Sequence, residues 1–244
     1  MQQYFIDQNS FINKKIYGDD FHHITNVMRM NINDLIIVCY DGKCYEAKIT
    51  FISKKELTFE IEKVLQNNCE MDISVTILQG YPKADKMEFI CQKATELGAD
   101  AFLPCLMERS VVKFDEERGI KKTARLQKIV KEAAEQSHRN ILPQVYPITK
   151  LTKVVFSDYD VKILAYEEDA KDGEKSALKA VLRNLNKGSR VLIAIGPEGG
   201  ISNQEYAFFK ENGFISCALG PRILRTETAA LYFLAALSYE RELK

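Results

Sequence analysis

RVLIAIGPEGGISNQEYAFFKENGFISCALGPRILRTETAA, residues 190–230, is the stretch whose reading decides the fold. Two apolar runs in it, Val191–Ile195 and Phe214–Leu219, each break into a Gly-Pro turn, at Gly196-Pro197 and Gly220-Pro221. An amphipathic helical stretch separates them. It opens with Ser202 and Glu205, which have the S-x-x-E spacing of a capping box. Thr226-Glu227 opens a last helix, with an acid in its first turn. The result is two strand-loop-helix corners rich in glycine and in free backbone N–H groups. Open α/β sheets bind ligands at such corners.

Working outward, the pattern from Asp72 onward alternates. Strands are expected at Ile73–Leu78, Ala101–Leu106 and Val161–Tyr166, and helices at Asp85–Leu97, Lys121–His138 and Glu174–Leu185. Asp85 and Glu88 have capping spacing, and Gly98 is the helix stop. Strands that alternate with helices imply a largely parallel sheet, and a continuous apolar strand such as VLIAI suits burial on both faces.

The first seventy residues read differently. Leu35–Tyr40, Tyr45–Ile52 and Leu57–Val64 are strands, and Asp41-Gly42 between the first two is a type I′ hairpin signal. A short helix is expected over Asp20–Arg29. Such a meander hides its edges by closing into a small barrel. The polar Gln66-Asn67-Asn68 punctuates the chain, which places one domain at 1–70 and a second at 71–244.

Composition narrows the chemistry. With 34 basic and 34 acidic residues among 244, bulk charge recruits neither nucleic acid nor membrane. The six cysteines are scattered with no C-x-x-C pair, which argues against zinc and against a disulfide scaffold and suits a reducing cytoplasm. The three histidines show no metal-ligand spacing, so no metal is expected. The N-terminus has no signal-peptide pattern, and the longest apolar run, the nine residues Ala229–Leu237, is too short to span a bilayer. That run is core or a dimer face.

A local basic patch exists: residues 109–139 hold nine Lys/Arg against five acids. Arg109 and Lys113 at a strand end, and Arg139 with Asn140 closing a helix, are the members best placed for phosphate. Arg222 and Arg225 flank Ile223-Leu224 in the second corner and mark an anion site. The Gly196–Ser202 loop lacks the G-K-[ST] of a P-loop and the G-x-G-x-x-G of a dinucleotide fold.

Those same residues resemble a known family. GPEGGIS followed by LGPRILRTETAA is similar to signature motifs of the SPOUT RNA methyltransferases, and more narrowly of the RsmE family. KATELGAD, ERSVVK and EAAEQSHRN resemble that family's internal motifs. HHITNVMRM with YDGKCYEAKI resembles its PUA-like RNA-binding domain. One departure is visible: Gln2-Gln3 stand where the family often has an arginine.

The resemblance implies an α/β, SPOUT-type, trefoil-knotted parallel-sheet domain preceded by a small PUA-like β-barrel domain. It implies a cytoplasmic homodimer that methylates N3 of a uridine in 16S rRNA, within the small ribosomal subunit or a late precursor, with S-adenosylmethionine as methyl donor. Cofactor contacts are then expected from Leu164, Gly196, Pro197, Gly199, Gly200, Leu219, Gly220, Ile223, Leu224 and Thr226. RNA contacts are expected from Arg29, Arg109, Lys113, Arg139, Asn140 and Arg222. Arg225 is the candidate for stabilising the uracil anion, and Glu198 is either a base or a turn acid. A SPOUT enzyme acting on a ribose hydroxyl, or an RNA-binding protein without activity, is the alternative at this stage.

Overall fold

The computed structural model describes residues 1–112, 115–167 and 177–243, which form two compact units: Met1–Glu70 with Ala134–Leu142, and Met71–Ala133 with Pro143–Lys244. Lys113 lies outside the described residues.

The first unit contains β1 (Gln3–Phe5), α1 (Gln8–Asn13), β2 (Lys15–Tyr17), α2 (Gly18–His22), β3 (Leu35–Tyr40), β4 (Lys43–Ile52) and β5 (Glu56–Val64). The expected small barrel is realised as a curled mixed sheet in the order β1-β3-β4-β5-β2. Its edges, β1 and β2, are three residues each, and so short an edge offers little to a foreign strand. Asp41 and Gly42 sit at φ 51° and 71°, the left-handed pair a type I′ turn requires. The helix expected over Asp20–Arg29 is α2 followed by a π turn, His23–Val27, and Arg29 follows it at φ 54°.

β3 is apolar on both faces because both are covered. Ile36 and Val38 join Tyr4, Ile49, Leu57 and Phe59, while Ile37 and Cys39 meet Phe5, Cys44 and Ala134. Cys39 and Cys44 are direct cross-strand partners and form a disulfide, a single cross-link within one hairpin rather than a disulfide scaffold. The hairpin turn brings two residues five apart into register, which spacing alone does not reveal.

Arg139 and Asn140 are also corrected. Arg139 is only 3% exposed, and its Nε donates to Glu70 at 2.7 Å. The other Glu70 oxygen accepts from the Asn140 and Ile141 amides at 2.7 and 3.0 Å. Gln3 donates to the Arg139 carbonyl, and the Asn140 side chain donates to the Asn67 carbonyl. A buried guanidinium must be paired to be tolerated, so this cluster staples the unit together and presents no charge to phosphate.

The second unit is a parallel sheet with helices on both faces. Its strands are β6 (Ser74–Gly80), β7 (Ala101–Leu106), β8 (Gln144–Val145), β9 (Thr149–Lys150), β10 (Val161–Ala165), β11 (Arg190–Ile195) and β12 (Ile215–Cys217). The order is β12-β10-β11-β6-β7-β8, with β9 also on β7, and every recorded pairing is parallel. The helices are α3 (Lys86–Glu96), α4 (Glu116–Gln136), α5 (Ala177–Arg183), α6 (Asn203–Glu211) and α7 (Thr226–Glu242). Of the expected helix Glu174–Leu185, residues 174–176 lie outside the described residues.

The VLIAI strand shows why the run is continuous. Val191, Ile193 and Ile195 pack with α3, α4 and α7, while Leu192 and Ala194 pack with Phe209, Phe214 and Phe156 on the other face. Asp85 makes no side-chain cap on α3; Glu88 instead binds Lys122 and Arg125 at 2.6 and 2.8 Å. Gly98 does end the helix, at φ 95°. The strand expected over Phe214–Leu219 is only Ile215–Cys217, because Leu219 has already turned into the loop.

Candidate active site

At the C-terminal ends of β10 and β11 the two Gly-Pro corners enclose a cavity of about 930 Å³. The first corner begins where β11 ends. Gly196 and Pro197 turn the chain, and the Gly200 amide closes the turn by donating to the Pro197 carbonyl at 2.9 Å. Gly199 is a close-approach position: a Cβ there would lie 2.8 Å from the Cβ of Arg109. The Arg109 guanidinium donates to the Gly199 carbonyl at 3.0 Å. Ser202 and Glu205 form the expected capping box on α6. The Glu205 carboxylate also accepts from the Glu108 amide at 2.7 Å, which ties the turn carrying Arg109 to this corner.

Glu198 projects from the same loop. Its carboxylate accepts from the Lys83 amide at 3.1 Å and pairs with Lys86 at 3.0 Å. Lys86 reaches Glu227 at 3.1 Å as well, so one ammonium links the loop to the start of α7. Burial pushes the Glu198 carboxyl upward. Its own backbone amide, Lys86 and the Lys83 amide outweigh that and hold it below the usual carboxylate range. A carboxylate so held is a weaker base than a free one.

The second corner runs from β12 through Leu219, Gly220, Pro221, Arg222, Ile223 and Leu224 to Arg225. Gly220 sits at φ 100°, a conformation that strains any L side chain. Ile223 is 71% exposed. Arg225 is the N-cap of α7 in extended conformation and makes no side-chain cap; its carbonyl starts the helix by accepting from the Thr228 and Ala229 amides. Thr226 opens the helix with Glu227 in its first turn, as expected. Its buried hydroxyl donates to the Gly196 carbonyl at 2.6 Å and joins the two corners.

Of the residues expected to line one site, Gly196, Pro197, Glu198, Gly199, Gly200, Leu219, Gly220, Arg222, Ile223, Leu224, Arg225 and Thr226 all do. Arg109, grouped by charge with the α4 patch, lines it too. Leu164 does not. It is fully buried among Leu192, Ala194 and Phe209, because alternation along β10 turns it away; Ala165 and Tyr166 line the cavity instead. Lys86, Ile195, Ile201 and Ala229 are wall residues that the sequence did not single out. Tyr166, stacked on Tyr206 at 4.5 Å between ring centroids, was detectable only as the residue that ends an apolar strand. Arg29 is exposed in the first unit. Among the described residues no cluster of three metal-ligating side chains exists, and no helix is long and apolar enough to cross a membrane.

Comparison with known proteins agrees with this geometry. The RNA methyltransferase domain family matches residues 69–238, and the RNA methyltransferase PUA domain family matches residues 16–62. The chain is 45% identical to ribosomal RNA small subunit methyltransferase E of Bacillus subtilis, over all of this chain and 98% of that protein. A crystal structure of ribosomal RNA small subunit methyltransferase E from Neisseria gonorrhoeae, bound to S-adenosylmethionine, superposes with a TM-score of 0.80 at 31% identity, covering 98% of this chain and 97% of that one. A methyltransferase structure from Legionella pneumophila with bound cofactor gives 0.81 at 30% identity, covering 92% and 90%.

Proposed function

The chain belongs to the ribosomal RNA small subunit methyltransferase E family, and from that premise we propose that it methylates N3 of a uridine in 16S rRNA with S-adenosylmethionine as donor. The observation that carries the reading is the cavity at the two Gly-Pro corners. Its wall combines apolar side chains, such as Ala165, Ile195, Ile201 and Leu224, with glycine-rich backbone. That donor set suits a nucleoside and an amino-acid moiety. A nucleotide polyphosphate would ask for a P-loop, which the chain lacks.

S-adenosylmethionine, when bound, supplies a methyl group already activated on a sulfonium. The protein then chiefly orients the reactants and stabilises charge. Gly196, Pro197, Gly199, Gly200, Leu219, Gly220, Ile223, Leu224 and Thr226 are the proposed cofactor-holding residues. The uracil N3–H must lose its proton as the methyl arrives, and we assign the Arg225 guanidinium, at the cavity wall, to hydrogen-bond the resulting anion. Lys83 and Lys86 already occupy the Glu198 carboxylate, so we assign Glu198 to bracing the loop. Arg109 and Arg222 at the cavity, with Arg29 and Lys113, form the proposed RNA-contacting set. Residues 1–70 are the proposed RNA-binding domain and 71–244 the catalytic one.

Three further parts of the reading rest on the family. The knot would be built from the two Gly-Pro corners. The homodimer would use the exposed stripe of α7, where Tyr232 and Tyr239 are 40% and 60% exposed. The site of action is the cytoplasm, where small subunits are assembled.

The test is direct. Small subunits from a strain lacking this gene, incubated with the purified protein and S-adenosylmethionine, should gain 3-methyluridine by nucleoside mass analysis. A ribose-methylated product would favour a 2′-hydroxyl methyltransferase. No transfer, together with no calorimetric binding of S-adenosylmethionine, would overturn the reading.

A further inference from the structure

Where β6 ends, a glutamine is buried completely. The Gln79 side-chain nitrogen donates to the Thr226 hydroxyl at 2.8 Å and to the Gly80 carbonyl at 3.1 Å, with the Gly196 carbonyl 3.5 Å away. Both carbonyls can only accept, so the nitrogen must face them and the amide orientation is determined. Thr226 has one hydroxyl proton and gives it to Gly196. The bonds therefore form a directional chain, from the Gln79 amide to the Thr226 hydroxyl to the Gly196 carbonyl. The chain starts on a central strand, passes through the first turn of α7 and ends in the first corner. Its remaining atom, the Gln79 side-chain oxygen, is buried with no hydrogen-bond partner among the described residues. A buried carbonyl left unsatisfied is unfavourable, and a leucine of similar size would avoid it. The strand carries a glutamine there all the same.

The next residue gives a second, independent observation. A Cβ on Gly80 would lie 2.5 Å from the Pro197 ring and 2.6 Å from its nitrogen, so the first corner sits directly on the strand end. Gly80 is absent from the positive-φ glycines, so its role is close approach and not an unusual backbone angle.

We propose that Gln79-Gly80 is a positioning element for the cofactor site. Gly80 seats Pro197, and Gln79 latches the start of α7 to the first corner, so that the two loops keep one fixed separation. Neither residue touches the reacting atoms. This inference rests on the reading that the cavity between the corners holds S-adenosylmethionine.

Calorimetry with S-adenosylmethionine on the full chain tests it, using Gln79→Leu and Gly80→Ala, with Gly119→Ala as control because nothing lies within 4 Å of a Cβ there. Gln79→Leu should weaken binding by about tenfold, the scale of one lost buried hydrogen bond; Gly80→Ala should weaken it at least as much, because its Cβ pushes Pro197 off the strand end, while the control does not. In steady-state assays the KM for S-adenosylmethionine should rise while the KM for small subunits stays level. A purely structural role would lower thermal stability without producing that split. Gln79→Leu combined with Thr226→Val should weaken binding no more than the worse single change, since both break one chain. Folded Gln79→Leu and Gly80→Ala proteins that bind within twofold of wild type would overturn the inference; if Gln79→Leu does not fold, Gly80→Ala decides alone. A wild-type protein that binds no S-adenosylmethionine would instead overturn the reading of the cavity.

Discussion

Replacing Arg225 by alanine removes a guanidinium that the fold does not use. The side chain is exposed, caps nothing, and has no ion-pair partner among the described residues. The start of α7 depends on its carbonyl, which accepts from the Thr228 and Ala229 amides and survives any side-chain change. The expected loss of stability is therefore within about 0.5 kcal/mol, the range for exposed positions without a special role. Methyl transfer should behave otherwise. Removing one preorganised donor to a developing anion costs on the order of 10²-fold in rate, or about 2.7 kcal/mol of barrier. Arg225→Lys retains the charge and loses the planar fork that can meet a uracil edge with two parallel bonds, so it should fall with alanine. The assay is single-turnover transfer at saturating S-adenosylmethionine and saturating small subunits, alongside thermal unfolding and calorimetry. Normal melting and near-normal cofactor affinity with transfer reduced by on the order of 10²-fold in both variants is the expected pattern. Lysine restoring most of the turnover would refute the argument and leave Arg225 as a loop brace or phosphate contact.

Gly220→Val should abolish S-adenosylmethionine binding while the unit still folds, because φ 100° strains a β-branched residue and a Cβ there reaches 3.5 Å from the Tyr232 hydroxyl; retained affinity in calorimetry would refute it. Arg109→Ala should reduce the salt dependence of RNA binding by roughly one unit of slope. Arg139→Ala, being buried against Glu70, should instead lower the melting temperature and leave the slope unchanged. In sedimentation at micromolar concentration the 27.9 kDa chain should run as a dimer, and a stable monomer would count against the α7 interface. Glu198, held below the usual carboxylate range, stabilises the loop above its unfolded-state pKa of about 4.3, and this contribution is lost as pH falls through the lower folded-state value. Because that loop borders the cavity, S-adenosylmethionine affinity should fall on the acid side, and Glu198→Gln should remove that dependence; an unchanged acid limb would exclude the carboxylate as its source.

Local pattern alone determined much of this protein. The strands Leu35–Tyr40 and Ala101–Leu106, the Asp41-Gly42 turn, the Ser202–Glu205 cap and the Gly98 stop each depend on residues within a few positions of one another. The two corners were legible for the same reason, since each is one continuous piece of chain. Charge and spacing were weaker guides. Arg139 looked like a surface cation until Glu70, sixty-nine residues away, was seen to bury it. Leu164 looked like a pocket residue until the pleat of β10 turned it into the core. The strands β1, β2, β8 and β9, at two or three residues each, have no period to read and exist only through distant partners. The bond from Thr226 to Gly196 and the seat of Pro197 on Gly80 likewise join residues 30 and more positions apart. Such contacts depend on where the chain returns in space. That is decided by which apolar faces bury one another across the whole sheet, and no window of sequence contains it.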